Sequence, residues 1–413
     1  MSQAPAKIDL DRLKELLAGV NAFGANPASG GFNRTGFSDA HMASIDWFED
    51  QMRRSGLVTS RDGAANLFGR TGTGNGPSVM IGSHLDTVIE GGAFDGALGA
   101  CVALECVRAI QDAGLTLQSV IEVVATSEEE GRFGGMLGSQ TITGQVSETW
   151  LDGAADANGL RLKDAMTAQG LDPDEILSSA RSTDSTKAFL ELHIEQGPVL
   201  ESEGTDIGIA DRVSGICNLE CVLTGVANHS GTTPMNMRAD SFAGLAEISV
   251  AIPSLIKDYG TDSSRITIGK VELSPNHTHT VPGEAAFTII LRDADETVMR
   301  VLRSQMVQAI QRISEAHNLS HTVAERSWLS PVTLDPDLVK RGLKRAKNLG
   351  YSVKCMPSGA GHDAQTMQAL CPSMLVFIPS KDGISHSPKE HSDWADIEKG
   401  ANLMLQLLIE LSS

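Results

Sequence analysis

The sequence predicts an α/β protein with a central mixed sheet flanked by helices, into which a second, ferredoxin-like α+β unit is inserted. Two observations carry this expectation. Four apolar, strand-like runs, starting near residues 78, 120, 188 and 374, each lead into histidine or acidic residues. Between the third and the fourth, the pattern changes to a β-α-β-β-α-β rhythm.

In SVMIGSHLDTVIEGGAFDGALGA, Ser78 to Gly82 read as a buried strand, with His84 and Asp86 at its carboxyl end. Open α/β sheets collect ligands there. A histidine with an acid two positions on can offer one ring nitrogen to a divalent metal while the carboxylate receives the other N–H, so Asp86 is expected to orient His84. Gly91 and Gly92 permit a sharp bend before Asp95, which precedes an apolar helical run from Ala97 to Ile110. A carboxylate at that position has two oxygens and can bridge two cations. Either motif alone also suits an ordinary loop.

The run Val120 to Ala125 ends in Glu128, Glu129 and Glu130. Three adjacent carboxylates repel one another, which alone suits a solvated face. Beside a cation the repulsion is relieved, and one glutamate can ligate while its neighbour acts as a base on water. AFLELHIEQGPVLE alternates apolar and polar residues up to His193, with Glu195 and Gln196 next, and SMLVFIPSKDGISHSP runs from Met374–Ile378 through a turn to His386. A single histidine on such a strand fits a core position as well as a ligand. Four strand ends carrying ligand-type residues together point to a two-metal hydrolase.

The interval between His193 and His386 supplies the second unit. Its expected elements are a strand Ile216–Thr224, a helix Ser241–Lys257, strands Arg265–Glu272 and Ala285–Arg292, a helix Glu296–His317, and a closing strand His321–Leu329. Val298, Leu302, Met306, Ile310 and Ile313 give the second helix its apolar face. The boundaries fall at residues 1–212 and 330–413 for one domain and 213–329 for the insertion, with a final helix near Asp396–Leu411.

The motifs GSHLDTVIEGGAFDG, EEEGRF, LELHIEQGPVLE, NHSGTTPM, VPGEAAFTIILRD, GAGHDAQ and GISHSP resemble those of the M20-type metallo-amidohydrolases, in the branch of N-carbamoyl-L-amino acid hydrolases, β-ureidopropionases and allantoate amidohydrolases. The resemblance covers nearly the whole chain. It implies two divalent ions, one held by His84, Asp95 and His193 and the other by Asp95, Glu130 and His386, with Asp95 bridging. Zinc, manganese, cobalt and nickel all accept such ligands. It further implies Glu129 as general base, His229 as oxyanion donor, Arg292 as the grip on a substrate carboxylate, and Gln196, Gly359, Ala360 and His362 as pocket residues. Glu128 is left without a role. The insertion becomes a lid that also mediates homodimerisation. Two departures stand out: Arg132 follows Gly131 directly, and His279 occupies a position where relatives commonly carry asparagine. Asn276 is near enough in sequence to substitute as donor.

The implied substrate is an N-carbamoyl or related N-acyl small acid, split at a linear C–N bond to ammonia, carbon dioxide and the amino acid. Allantoate and N-acyl amino acids are the alternatives within the fold, and a catalytically silent binding protein is the alternative outside it; retention of Glu129 argues against the last. A net charge of -19 disfavours nucleic acid and anionic membranes as partners. The first residues, MSQAPAKIDL, have no basic stretch followed by an apolar core, no run reaches membrane-spanning length, and the six cysteines have neither zinc-knuckle nor redox spacing. Reduced thiols in a cytoplasmic protein are expected.

Overall fold

The computed structural model describes residues 6–72 and 76–413. These form two compact units, one comprising the chain up to Asp211 with Leu334–Met356 and His362–Ser413, the other Arg212–Thr333 with Pro357–Gly361.

Four parallel strands make the middle of the first unit's sheet, in the order Val120–Thr126, Ser78–His84, Thr186–Ile194 and Ser373–Ile378. Antiparallel neighbours extend it at both sides: Leu67–Arg70 and Val58–Arg61 beyond the first, and Ile207–Val213 beyond the last. The sheet is therefore mixed. Ser78–His84 is buried at every residue, which is why it reads as a continuous apolar run. In Thr186–Ile194 the alternation separates two faces: Leu190, Leu192 and Ile194 enter the main core, while Glu191 and His193 take the opposite side.

Helix Ala97–Asp112 packs on Ser78–His84 and also touches helices Leu10–Val20 and Trp394–Ser412, so it is buried around most of its circumference. It begins at Gly96, whose φ is +61° and where a Cβ would lie 2.3 Å from the His84 ring. Only glycine lets this helix start directly against that imidazole.

The second unit has a four-stranded antiparallel sheet in the order Ser320–Leu329, Gly215–Thr224, Glu284–Asp293, Arg265–Ser274. Helices Ser241–Tyr259 and Glu296–Ala316 pack on it and on each other. Each helix starts where an aspartate can satisfy free N–H groups: Asp240 accepts from Phe242 and Ala243, Asp295 from Thr297 and Val298. Cys217, Leu219, Cys221 and Leu223 alternate into the core between sheet and helices, so these cysteines serve as apolar packing. None of the six cysteines is joined in a disulfide. Among the described residues no helix is long and apolar enough to cross a membrane.

Candidate metal and catalytic centre

The five expected ligands lie at or just beyond the carboxyl ends of the parallel strands in the first unit. Asp95 is their meeting point. Its Oδ1 is 3.4 Å from His84 Nε2 and 3.0 Å from His193 Nε2. Its Oδ2 is 3.5 Å from His386 Nε2, which in turn is 3.2 Å from Glu130 Oε2. The structure thus gathers His84, Asp95 and His193 into one group and Asp95, Glu130 and His386 into another, with the ligand atoms of each within 4.8 Å of one another.

The histidine geometry suits cations. His84 Nδ1 lies 3.0 Å from the Asp86 carbonyl oxygen, and His193 Nδ1 lies 2.9 Å from that of Ile194. A carbonyl only accepts, so each Nδ1 carries a proton and each Nε2 turns towards the Asp95 carboxylate. Burial opposes a positive charge on His84, yet Glu129, Asp95, Asp86 and Glu130 outweigh it and raise its pKa well above the ordinary value. His193 is likewise raised, against burial, chiefly by Asp95. Burial would raise Asp95, but His193 and His84 hold it well below the usual carboxylate range. The Glu130 hydrogen bond leads in pushing His386 to about 9. In the chain alone, protons on buried imidazoles do the work of positive charge, and divalent cations fit that donor set.

The role expected of the Asp86 carboxylate is corrected. His84 is oriented by the Asp86 backbone carbonyl, and the nearest carboxylate oxygen is 3.9 Å from Nδ1. The carboxylate instead accepts from the Glu129 and Glu130 backbone N–H groups, 3.2 Å each. Asp86 therefore joins the first strand end to the glutamate turn. Glu128 also has a function that the sequence did not disclose. Its backbone is left-handed, with φ +58°, and its buried carboxyl accepts from the N–H groups of Phe133 and Gly135, holding the loop that follows. Burial pushes this carboxyl to about 8.

The motifs give Arg34, Glu191 and Gln365 no role, whereas Gln196 and His362 are expected pocket residues. Arg34 is fully buried, donates from Nε to the Leu85 carbonyl at 3.1 Å, and accepts from the Thr87 N–H through its own carbonyl at 3.1 Å, so it grips the segment beyond His84. Burial lowers its pKa to about 10, still leaving a cation near Asp86. Behind His193, Glu191 accepts from Ser83 Oγ and the Ala364 N–H, 2.7 and 2.8 Å, and Thr126 Oγ1 donates to Asp363. His362 packs edge-on against His193 with ring centroids 4.5 Å apart. Burial, then His193, hold its pKa well below the usual value, so it is a neutral wall. Gln196 donates to Asp95 Oδ2 at 2.7 Å, while its Oε1 and both amide atoms of the buried Gln365 have no protein partner. Buried polar atoms without partners mark a place where a polar ligand or water is accommodated.

The remaining candidates belong to the second unit. His229 is exposed, and its Nδ1 accepts from the Gly231 and Thr232 N–H groups at 3.0 and 3.2 Å, which leaves the proton on Nε2. The two-residue strand Thr280–Val281 pairs with Asn228–His229, bringing the His279 carbonyl to the Ser230 N–H at 3.0 Å. His279 and Asn276 are both exposed on the connecting turn. Half-buried Arg292 donates from Nη1 to the Gly359 carbonyl at 2.8 Å. Gly359 and Ala360 thus belong with Arg292 to the second unit, whereas His362 stands with His193 in the first.

A model of peptidase family M20/M25/M40 matches residues 80–410. The chain belongs to this family. Within it, the chain is 36% identical to an N-carbamoyl-L-amino acid amidohydrolase of Geobacillus stearothermophilus, covering 97% of the chain and 98% of that protein. It is also 36% identical to the allantoate amidohydrolase of Escherichia coli (strain K12), covering 97% of each. The crystal structure of a hydantoinase/carbamoylase family amidase from Burkholderia multivorans aligns with a TM-score of 0.90 at 30% identity over 98% of both chains. The M20 fold, with its mixed sheet flanked by helices and its inserted α+β unit, is accordingly the fold of this chain.

Proposed function

We propose that the chain is a two-metal amidohydrolase that cleaves the linear C–N bond of an N-carbamoyl L-amino acid or a similar small carboxylate, releasing ammonia, carbon dioxide and the amino acid. The observation that supports it most is Asp95, whose two oxygens face separate sets of candidate ligands, His84 with His193 and His386 with Glu130. Zinc, manganese, cobalt and nickel all fit these donors. Divalent ions held there supply Lewis acidity, acidifying water and polarising a carbonyl.

The chain's own residues account for positioning and proton movement. Glu129 Oε2 stands 3.6 Å from His84 Nε2, inside the ligand cluster, where it takes the proton of the attacking water and returns it to the leaving nitrogen. Burial raises the Glu129 carboxyl well above its ordinary range, with Glu130, Asp363 and Asp86 adding to the rise and His84 opposing it. Its work as a base therefore depends on the positive charge that the ligand set recruits. Asp86, bonded to two successive backbone N–H groups, keeps Glu129 and Glu130 on the same turn.

In the second unit, His229 offers an Nε2–H of the kind that stabilises an oxyanion, and Arg292 a planar fork suited to a carboxylate. These roles, with Gln196, His362, Gly359 and Ala360 as further substrate contacts and His279 or Asn276 as polar-head contacts, rest on the chemistry of each group and on the family. A homodimer formed through the second unit belongs to the same proposal. So does a cytoplasmic setting, which six cysteines outside any disulfide suit.

Relatives named for carbamoyl amino acids and for allantoate stand at the same 36% identity, so both substrates enter the test. Ammonia release is measured from N-carbamoyl L-amino acids and from allantoate, with each of the four metals added in turn. Turnover of a carbamoyl amino acid above allantoate is expected. The reverse order would move the assignment to allantoate, and no release from any ureido acid would overturn the proposal.

A further inference from the structure

The two candidate metal groups differ in how their ligands are held. His84 and His193 sit on strands with each Nδ1 bonded to a backbone carbonyl. His386 sits on a turn, half-exposed and in the left-handed region with φ +54°, a conformation that costs a histidine energy unless its surroundings hold it. Glu390, four residues on and 5% exposed, is that support. Its backbone N–H bonds the Ser387 carbonyl at 3.0 Å and closes the turn that follows His386.

The Glu390 side chain reaches to the other ligand loop. Oε1 accepts from the backbone N–H groups of Phe94 and Asp95, 2.9 and 3.0 Å, and Oε2 lies 2.8 Å from Ser385 Oγ. Ser385 Oγ is also 2.9 Å from Asp95 Oδ2. One side chain thus ties the backbone of Asp95 to the residue preceding His386, and Ser385 completes the circuit to the Asp95 carboxylate. The approach is so close that a Cβ at Gly92 would fall 2.1 Å from Glu390 Cδ. Phe94 packs edge-on against His391 and Trp394, centroids 5.7 and 6.0 Å away, which fixes the same two segments from outside.

We propose that Glu390 is a positioning residue that sets the placement of Asp95 relative to His386, and so governs the affinity of the Asp95–Glu130–His386 group for its ion more than that of the His84–Asp95–His193 group, which shares Asp95 but whose histidines are held by backbone carbonyls. The inference rests on the two-metal reading above. Partners that orient metal ligands typically change affinity by about 10- to 100-fold when removed.

Equilibrium dialysis of metal-free protein against cobalt(II), read by metal content and by the cobalt absorption bands, tests it. Wild type should bind two ions. Glu390→Ala should bind the second ion about 10- to 100-fold more weakly, with a clearly smaller loss for the first. Glu390→Gln retains an acceptor for the two N–H groups and an amide to meet Ser385, so it should restore most of the second affinity. Ser385→Ala removes only the side-chain link, and a several-fold loss confined to the second ion is expected; it carries the test if Glu390→Ala does not fold. The proposal is overturned by a Ser385→Ala or Glu390→Ala protein with an unchanged second affinity, by equal weakening of both ions, or by a Glu390→Gln protein as weak as Glu390→Ala. Wild type binding no cobalt would instead sink the metal reading, and this inference with it.

Discussion

The two units present their candidate functional groups in opposite ways. In the first, ligand-type side chains stand at or beyond the ends of parallel strands whose two faces are both covered, so that all but the half-exposed His386 are largely buried, within a few ångströms of one another. In the second, a four-stranded antiparallel sheet carries helices, and His229, Asn276 and His279 are exposed on its connections. A buried cluster of this kind is costly without positive charge, so it is built for a cation before any substrate arrives. Exposed donors cost little and suit recognition of a small polar molecule. The proposed function accordingly assigns the chemistry to the first unit and shares recognition between Gln196 and His362 of that unit and the exposed groups of the second.

The sharpest way to break this contrast is Asp95→Ala. It removes the residue common to both groups, and metal analysis should find both ions lost and activity with them; His386→Ala should lose only one. Retention of two ions in Asp95→Ala would dissolve the shared-ligand arrangement. Glu129→Gln comes next: turnover should fall by about 10²- to 10⁴-fold with metal content unchanged. A fall of less than about tenfold would move proton transfer away from the buried cluster. On the recognition side, Arg292→Ala should reduce kcat/KM by about 10- to 100-fold, mostly through KM, as expected for a charged hydrogen bond worth about 1.5–3 kcal/mol. Its ion content should match wild type. If Arg292→Ala lost metal, the division of labour between the units would be wrong.

The same contrast explains what could be read from the sequence. The parallel strands are mostly apolar and lead into ligand-type residues, so His84, Glu130, His193 and His386 stand out at or beyond their carboxyl ends. The strands and helices of the inserted unit were legible because one face is buried: Glu284–Asp293 alternates strictly between buried and less buried residues. What escaped depends on contacts distant in sequence. Arg34 lies in an irregular stretch and gains its role only by packing under the loop after His84, 51 residues away. Glu390 looks like one more acid in a polar turn until it meets the N–H groups of Phe94 and Asp95 across nearly 300 residues. Asp86 was misread for a related reason, since adjacency to His84 suggested a side-chain contact that the backbone carbonyl makes instead. Strand Ile207–Val213, which carries the chain from one unit into the other, has two charged residues at its far end and no motif to mark it.

The smallest predicted effect concerns a buried histidine outside the ligand cluster. His41, on helix Asp39–Arg54, is fully buried, accepts the Phe37 N–H at Nδ1 at 3.1 Å, and has no partner for Nε2. Burial lowers its pKa from 6.5 to about 4. As pH falls, the unfolded chain takes up this proton first, so the folded state loses stability progressively between about pH 6.5 and 4 and no further below that. Between pH 7.5 and 5 the loss from this one group is about 2 kcal/mol. His41→Asn keeps an acceptor for Phe37 and cannot titrate. Urea unfolding of both metal-free proteins at the two pH values should therefore show wild type losing about 2 kcal/mol more than the variant on acidification. Equal losses would mean that the folded chain protonates His41 as readily as the unfolded chain does, so that the first unit would bury a cation at pH 5.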